Sequence, residues 1–258
     1  TKVCADYEPV RLAAGLPEVH FVPLSALVGD NVVEPSAHMP WYSGPTLLAL
    51  LEALEPAVPE AVSDFRFPVQ TVIRPRTTEH HDFRGYAGRV AGGRVAVGDR
   101  VTVWPEELEA TVDGIFLGAQ ALQEANYGQS VVLTLDRDVN VARGSVLTAG
   151  SAPQRDASLR AKLCWLDAKG HTPGLRYEFR AHGGYGQAMI AEVERVLNLE
   201  TLAYEPGTGH LETNQIAEVV VRCATAPTTE AYSSQRVMGG FILVDPVRGT
   251  TVAAGMIH

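Results

Sequence analysis

The sequence predicts a mainly β protein, with two tandem antiparallel β-barrels preceded by a short α/β segment. Three observations carry that expectation. From Phe65 onward, short runs rich in Val, Ile and Thr follow one another, punctuated by Gly, Asp and Pro. Their spacing of about 8–15 residues is that of an antiparallel sandwich or barrel. Before Phe65 the pattern differs, with one strand-like run and one helical stripe. Between the two series of β runs lies SAPQRD, residues 151–156, polar and proline-bearing, which reads as a linker. The expected organisation is an α/β segment over 1–60, a first barrel over 65–150 and a second over 155–258.

In chain order, Glu18 to Leu24 is an apolar strand candidate that ends in SALVGDN. After the turn-rich MPWYSGP, Leu47, Leu50, Leu51 and Leu54 recur at i, i+3, i+4 and i+7, the stripe of an amphipathic helix. Ser43 is placed to cap that helix, with Pro45 in its first turn. A strand, a polar loop and a helix make an α/β fragment. One strand cannot form a sheet of its own.

The first β series comprises FRFPVQTVI, YAGRVAGG, DRVTVWP, ATVDGIFLG, SVVLTLD and SVLTAG. Valines alternate on both sides of Gly98-Asp99, the pattern of a hairpin whose turn uses a glycine backbone. The second series, SLRAKLCWLD, LRYEFRAH, QAMIAEVERVLNL, AEVVVRCAT, GGFILVDP and TTVAAGMI, resumes the same rhythm.

Composition excludes several function classes. The chain has 258 residues, 46% hydrophobic and 20% charged, an ordinary globular balance. No apolar run approaches the roughly 20 residues that span a membrane, and no secretory leader opens the sequence. Cys4, Cys164 and Cys223 are odd in number and far apart, with no C-x-x-C pair. That argues against a disulfide framework or structural zinc and fits a reducing, cytoplasmic setting. A formal net charge of −9 without a basic run disfavours nucleic acid as a partner.

The glycine-rich stretch from Gly88 to Gly93 approaches the P-loop spacing G-x-x-x-x-G-K-S/T. Arg94 stands at the lysine position, however, and Val95 replaces the hydroxyl that would hold Mg²⁺. It leads into a strand, so it offers no helix N-terminus to a phosphate and reads as a barrel corner. Glu79, His80, His81 and Asp82 gather four possible metal ligands, but adjacent side chains diverge on extended chain, and a solvated loop is expected. His182-Gly183-Gly184 could form a backbone nest for an anion; a wide turn between strands is the reading preferred. Glu192 with Glu194 on one strand face, and Glu106, Glu107 and Glu109 on a loop, read as surface charge. Ser25 lacks a nucleophile elbow. These residues predict neither a catalytic centre nor a metal site.

Four stretches taken together, VPLSALVGDNVVEPSAHMPWYSGPTLLALLE, FRFPVQTVIRP, DFRGYAGRVAGGRVAVGDRV and GGFILVDPVRGTTVAAGMI, resemble the large, GTP-binding subunit of bacterial sulfate adenylyltransferase, a branch of the translation-factor GTPases. The likeness runs from about Pro17 to His258 and is firmest over 20–105 and 237–258. It implies that residues 1–60 end a GTPase domain, and that the barrels are of the translation-factor domain II and III type.

By the same resemblance Ser25, Ala26 and Leu27 form the last guanine-recognition loop, with backbone N–H groups facing the base and Ser25 bracing the turn. The implied cofactor is GTP with Mg²⁺. The implied partner is a smaller catalytic subunit that makes adenylyl sulfate from ATP and sulfate. The family's P-loop, D-x-x-G and N-K-x-D motifs precede the position of Ser25 and are not found in these 258 residues. Either the sequence is a piece of a longer protein or it has lost GTPase chemistry. On both readings this chain alone is expected to be inactive toward GTP. Residues 77–81 read as an insertion in the first barrel. The alternatives are a non-enzymatic β-barrel interaction module and a fragment of a translation elongation-type GTPase.

Overall fold

Alternation of small β-branched and polar residues asks for sheets with one wet and one dry face, and short strands ask for closure, which removes exposed edges. The computed structural model describes residues 2–13, 15–16, 19–55, 64–75 and 83–258. The four-ligand run Glu79 to Asp82 and the insertion over 77–81 lie outside the described residues. The chain divides into two units, Thr1–Pro59 and Glu60–His258.

The first unit holds helix α1 (Lys2–Ala13) and helix α2 (Leu47–Ala53). α1 was not foreseen: its sequence has Pro9 within it and no clean apolar stripe. α2 is the helix expected from the leucine stripe, but its cap differs. Thr46 is the N-cap, its side chain accepting from the Ala49 backbone N–H at 3.3 Å. Pro45 therefore precedes the cap, and Ser43 is too far upstream to serve. No residue of α2 is buried. The strand expected over 18–24 does not form among the described residues. Extended pairing there is limited to the isolated bridge between Ser25 and Asp30, since a lone strand has no neighbour to complete its ladder.

Among its described residues, the second unit is all β apart from one short helix. Its first series is β1 (Phe65–Ile73), β2 (Gly85–Arg89), β3 (Arg94–Ala96), β4 (Arg100–Trp104), β5 (Leu108–Leu117), β6 (Gln120–Leu122), β7 (Glu124–Asn126), β8 (Ser130–Leu135) and β9 (Val146–Ala149). The order β4-β9-β1-β2-β8-β5 closes on itself because β5 also pairs with β4, giving a six-stranded barrel. Phe65, Phe67, Tyr86, Val103, Ile115, Leu133 and Leu147 fill it.

The hairpin expected around Gly98-Asp99 is corrected. Gly98 does sit at φ +94°, as a tight turn requires. Yet β3 pairs with β7, while β4 pairs with β5 and β9. The turn moves the chain from one sheet to another, and alternation cannot distinguish that from a hairpin.

The second series is β10 (Gln154–Arg155), β11 (Ser158–Trp165), β12 (Tyr177–Ala181), β13 (Gly184–Leu197), β14 (Tyr204–Pro206), β15 (Ile216–Cys223), β16 (Thr228–Thr229), helix α3 (Arg236–Gly239), β17 (Gly240–Val244) and β18 (Thr251–Ile257). The ring β12-β17-β18-β11-β15-β13 closes through β12–β13, a second six-stranded barrel with β14 on its rim. Leu159, Leu163, Trp165, Phe179, Ile190, Val219, Val221, Phe241 and Leu243 form its core. Residues 151–156 are more than a linker, since β10 pairs with β16.

Of the two acidic groups read from the sequence, one residue is relocated, while Glu192 and Glu194 stay together on one strand. Glu109 lies in β5 and not in a loop. Glu192 and Glu194 lie on β13, whose register shifts on both sides of Val193, and Glu194 pairs with Arg160 at 3.3 Å. Among the described residues, no helix is long and apolar enough to cross a membrane.

Candidate functional site

In the first unit, the segment after Val22 is built around one buried amide. Asn31 is 3% exposed and adopts φ +56°, a conformation asparagine tolerates better than most residues. Its Nδ2 donates to the Pro23 carbonyl at 2.8 Å, and its Oδ1 accepts from the Ser36 N–H at 2.8 Å. Ser25 opens a turn closed by the Gly29 N–H donating to the Ser25 carbonyl at 2.8 Å, and by the Ser25 N–H donating to the Asp30 carbonyl at 3.1 Å. Gly29 at φ +82° lets the chain reverse.

Within that turn Ala26, Leu27 and Val28 point outward, with Leu27 95% exposed. The Ser36 hydroxyl donates to the Asp30 carboxylate at 2.8 Å, the main cause that holds the Asp30 pKa below its usual value, with His38 adding to it. The Leu47 N–H donates to the Asn31 carbonyl at 2.9 Å, which ties the loop to the start of α2. The three residues singled out in sequence therefore share one turn, fixed from below by Asn31, a residue the sequence reading did not single out.

In the second unit, the barrels meet along β1, whose first five residues are buried on both faces. Arg66 is 2% exposed. Its Nε donates to the Glu230 carboxylate, Nη1 to the Phe65 carbonyl at 3.0 Å and Nη2 to the Ser151 hydroxyl at 3.1 Å. Asp64 stands 3.7 Å from the same guanidinium. Its pKa is lowered first by hydrogen bonds from Ser151 and then by Arg66. Gln235 reaches back to donate to the Ala91 carbonyl at 2.6 Å. Arg143 donates through Nε to the Gly183 carbonyl at 3.1 Å.

The segment His182-Gly183, expected as a wide turn, is a tight two-residue turn joining β12 and β13, where Ala181 pairs with Gly184. Its φ values are +33° and +103°. His182 Nε2 lies 2.7 Å from the Thr228 carbonyl, while Nδ1 is buried with no hydrogen-bond partner among the described residues. Burial is the main cause that lowers the His182 pKa, so the neutral ring is the favoured form. The glycine-rich stretch after Gly88 leads into β3, and Gly93 at φ +62° packs on the backbone of Asp64 and Phe65. It is a barrel corner.

The second unit is thus a tandem pair of closed β-barrels joined at β1. Comparison with known proteins agrees. Residues 158–258 match the family described as GTP-eEF1A C-terminal domain-like. The crystal structure of sup35 complexed with GDP superposes with a TM-score of 0.69 at 22% identity, covering 99% of this chain and 64% of that one.

In sequence, the chain is 40% identical over 258 residues to sulfate adenylyltransferase subunit 1 of Shewanella oneidensis, covering 98% of this chain and 52% of the relative. It is 37% identical over 256 residues to the bifunctional enzyme NodQ of Rhizobium tropici, covering 99% of this chain and 40% of the relative. The resemblance carried by the four quoted stretches therefore holds: this chain is related in sequence to the large subunit of sulfate adenylyltransferase. It spans about half the length of the curated relatives it matches.

Proposed function

We propose that this chain is the barrel-bearing part of a GTP-binding regulatory subunit of sulfate adenylyltransferase. In this reading residues 1–60 close a GTPase domain, and 65–150 and 155–258 are barrels that dock a smaller subunit. That smaller subunit makes adenylyl sulfate from ATP and sulfate in the cytoplasm, and GTP hydrolysis drives the unfavourable step. The observation that carries the proposal is the 40% identity to subunit 1 across 98% of this chain.

Ser25, Ala26 and Leu27 fit a guanine-recognition role because Ser25 anchors a turn that presents Ala26 and Leu27 outward, as a base-binding loop requires. Among the described residues, no group of three or more His, Cys, Asp or Glu is placed to hold a metal ion. Mg²⁺ and the GTP phosphates would therefore depend on the P-loop, D-x-x-G and N-K-x-D motifs of a longer protein. Coupling needs two nucleotide states that contact the partner differently. The contribution of this chain would be a rigid, doubly closed platform that passes on such a difference.

The test uses a protein that carries those three motifs ahead of this chain. Ala26→Trp is expected to weaken GTP binding by about tenfold or more, or 1.4 kcal/mol, while the barrels melt unchanged. Titration calorimetry showing affinity within about twofold of the parent, near 0.4 kcal/mol, would remove these residues from the guanine site.

A further inference from the structure

The join between the barrels also contains a cleft that the proposed function does not use. It has a volume of about 520 Å³ and is lined by Gln70, Arg89, Tyr127, Arg143, His182 and Gly183 together with small apolar residues. We propose that this cleft binds a small molecule bearing a phosphate- or sulfate-type oxyanion.

Three observations converge. First, both arginines are pre-oriented in the same manner. Arg89 donates through Nε to the Gly128 carbonyl at 2.9 Å, and Arg143 donates through Nε to the Gly183 carbonyl at 3.1 Å. Both acceptors are positive-φ glycines, at +85° and +103°, on tight turns. A guanidinium held by Nε has lost rotamer freedom, yet its two Nη groups remain as a fork of donors. Among the described residues, neither fork meets a hydrogen-bond acceptor or a carboxylate.

Second, among the described residues no Asp or Glu lines the cleft. In a chain with 30 acidic against 21 basic residues, a cleft holding two arginines and no carboxylate runs against the overall charge. Both arginines are exposed, so a dissolved anion can reach them. Third, Gln70 and Tyr127 add uncharged polar groups beside the cations. The volume falls within the range of small-ligand sites. Planar guanidinium forks suit tetrahedral oxyanions, which accept two N–H bonds from each.

The experiment is titration calorimetry on the 258-residue chain at fixed ionic strength, with inorganic phosphate, inorganic sulfate and pyrophosphate as separate probes and chloride as the control. At least one oxyanion is expected to bind with a dissociation constant below about 10 mM. Arg89→Gln and Arg143→Lys are each expected to weaken it by about threefold or more, and the pair together by about tenfold or more. Arg100→Gln, at an exposed strand position outside the cleft, is expected to leave it unchanged. Arg143→Lys keeps a cation at the join, and Arg89 lies within the first barrel, so thermal melting distinguishes loss of binding from loss of fold. The proposal is overturned by absence of binding for all three probes, by equal weakening from Arg100→Gln, or by a glutamate-rich peptide binding where the small anions do not. Pyrophosphate binding without phosphate or sulfate would assign the site to a diphosphate group and sustain the proposal.

Discussion

A guanidinium as deeply buried as that of Arg66 persists only while its charge and its donors are met. Here a carboxylate from Glu230, the Phe65 carbonyl and the Ser151 hydroxyl meet them, and these partners lie up to 164 residues from Arg66 in sequence. Removing one member leaves the other charge stranded. Arg66→Ala is expected to cost about 3–5 kcal/mol in urea unfolding, whereas Arg66→Met combined with Glu230→Leu should cost less than Arg66→Ala alone.

The histidines set a second expectation. Burial is the first cause that lowers the pKa of both His171 and His182. The folded state therefore holds them neutral, while the unfolded chain takes up protons near the ordinary histidine value of about 6.5. Stability is expected to be full above that value and to fall as pH drops through it toward the folded pKa values. Asp245 acts in a separate window. Hydrogen bonds from Arg248 and Val247 hold its pKa at about 2, so its contribution is lost only at much lower pH. Unfolding midpoints measured from pH 8 to 5 should decline, and a His171→Phe, His182→Asn variant should flatten the curve. A flat curve for the parent would contradict the assignment.

At the scale of elements, glycines decide where the barrels approach each other. A Cβ on Gly144, at φ +92°, would lie 2.6 Å from the Gly184 backbone, whereas one on Gly174, at φ +80°, would meet nothing within 4 Å. Gly174→Ala should carry only the backbone strain, about 1 kcal/mol, while Gly144→Ala should lower stability by well over twice that, read from paired melts. Equal effects would mean that the close approach does not matter.

The same scale shows what the sequence could convey. Period-two valines and glycine punctuation reported both closed barrels, because strand alternation is local. They misassigned Gly98-Asp99 to a hairpin, since sheet partnership depends on the distant β7 and β9. The leucine stripe announced α2, yet Thr46 capped it in place of Ser43, a difference of three residues within a proline-bearing turn. Ser25, Ala26 and Leu27, proposed for the guanine site through the motif around them, share one turn. Asn31, which anchors their turn, was not legible, because a buried polar hub has no periodicity. Arg66 was hidden for a related reason: inside a strand of aromatic residues, nothing signals which neighbours will neutralise a charge.

For the whole molecule, two closed barrels are joined by buried polar links at β1, the unit that the proposed function assigns to docking. A net charge of −9 favours a protein partner over RNA. The most direct measurement is size-exclusion chromatography of the 258-residue chain co-expressed with a small, ATP-using sulfate adenylyltransferase subunit. Adenylyl sulfate synthesis is assayed on the same fractions, with and without GTP. The two proteins are expected to co-elute, because both barrels are closed, and GTP is expected to leave the rate unchanged, because the phosphate-binding motifs are not in these 258 residues. Separate elution of the two proteins, or comigration of the chain with RNA, would contradict it.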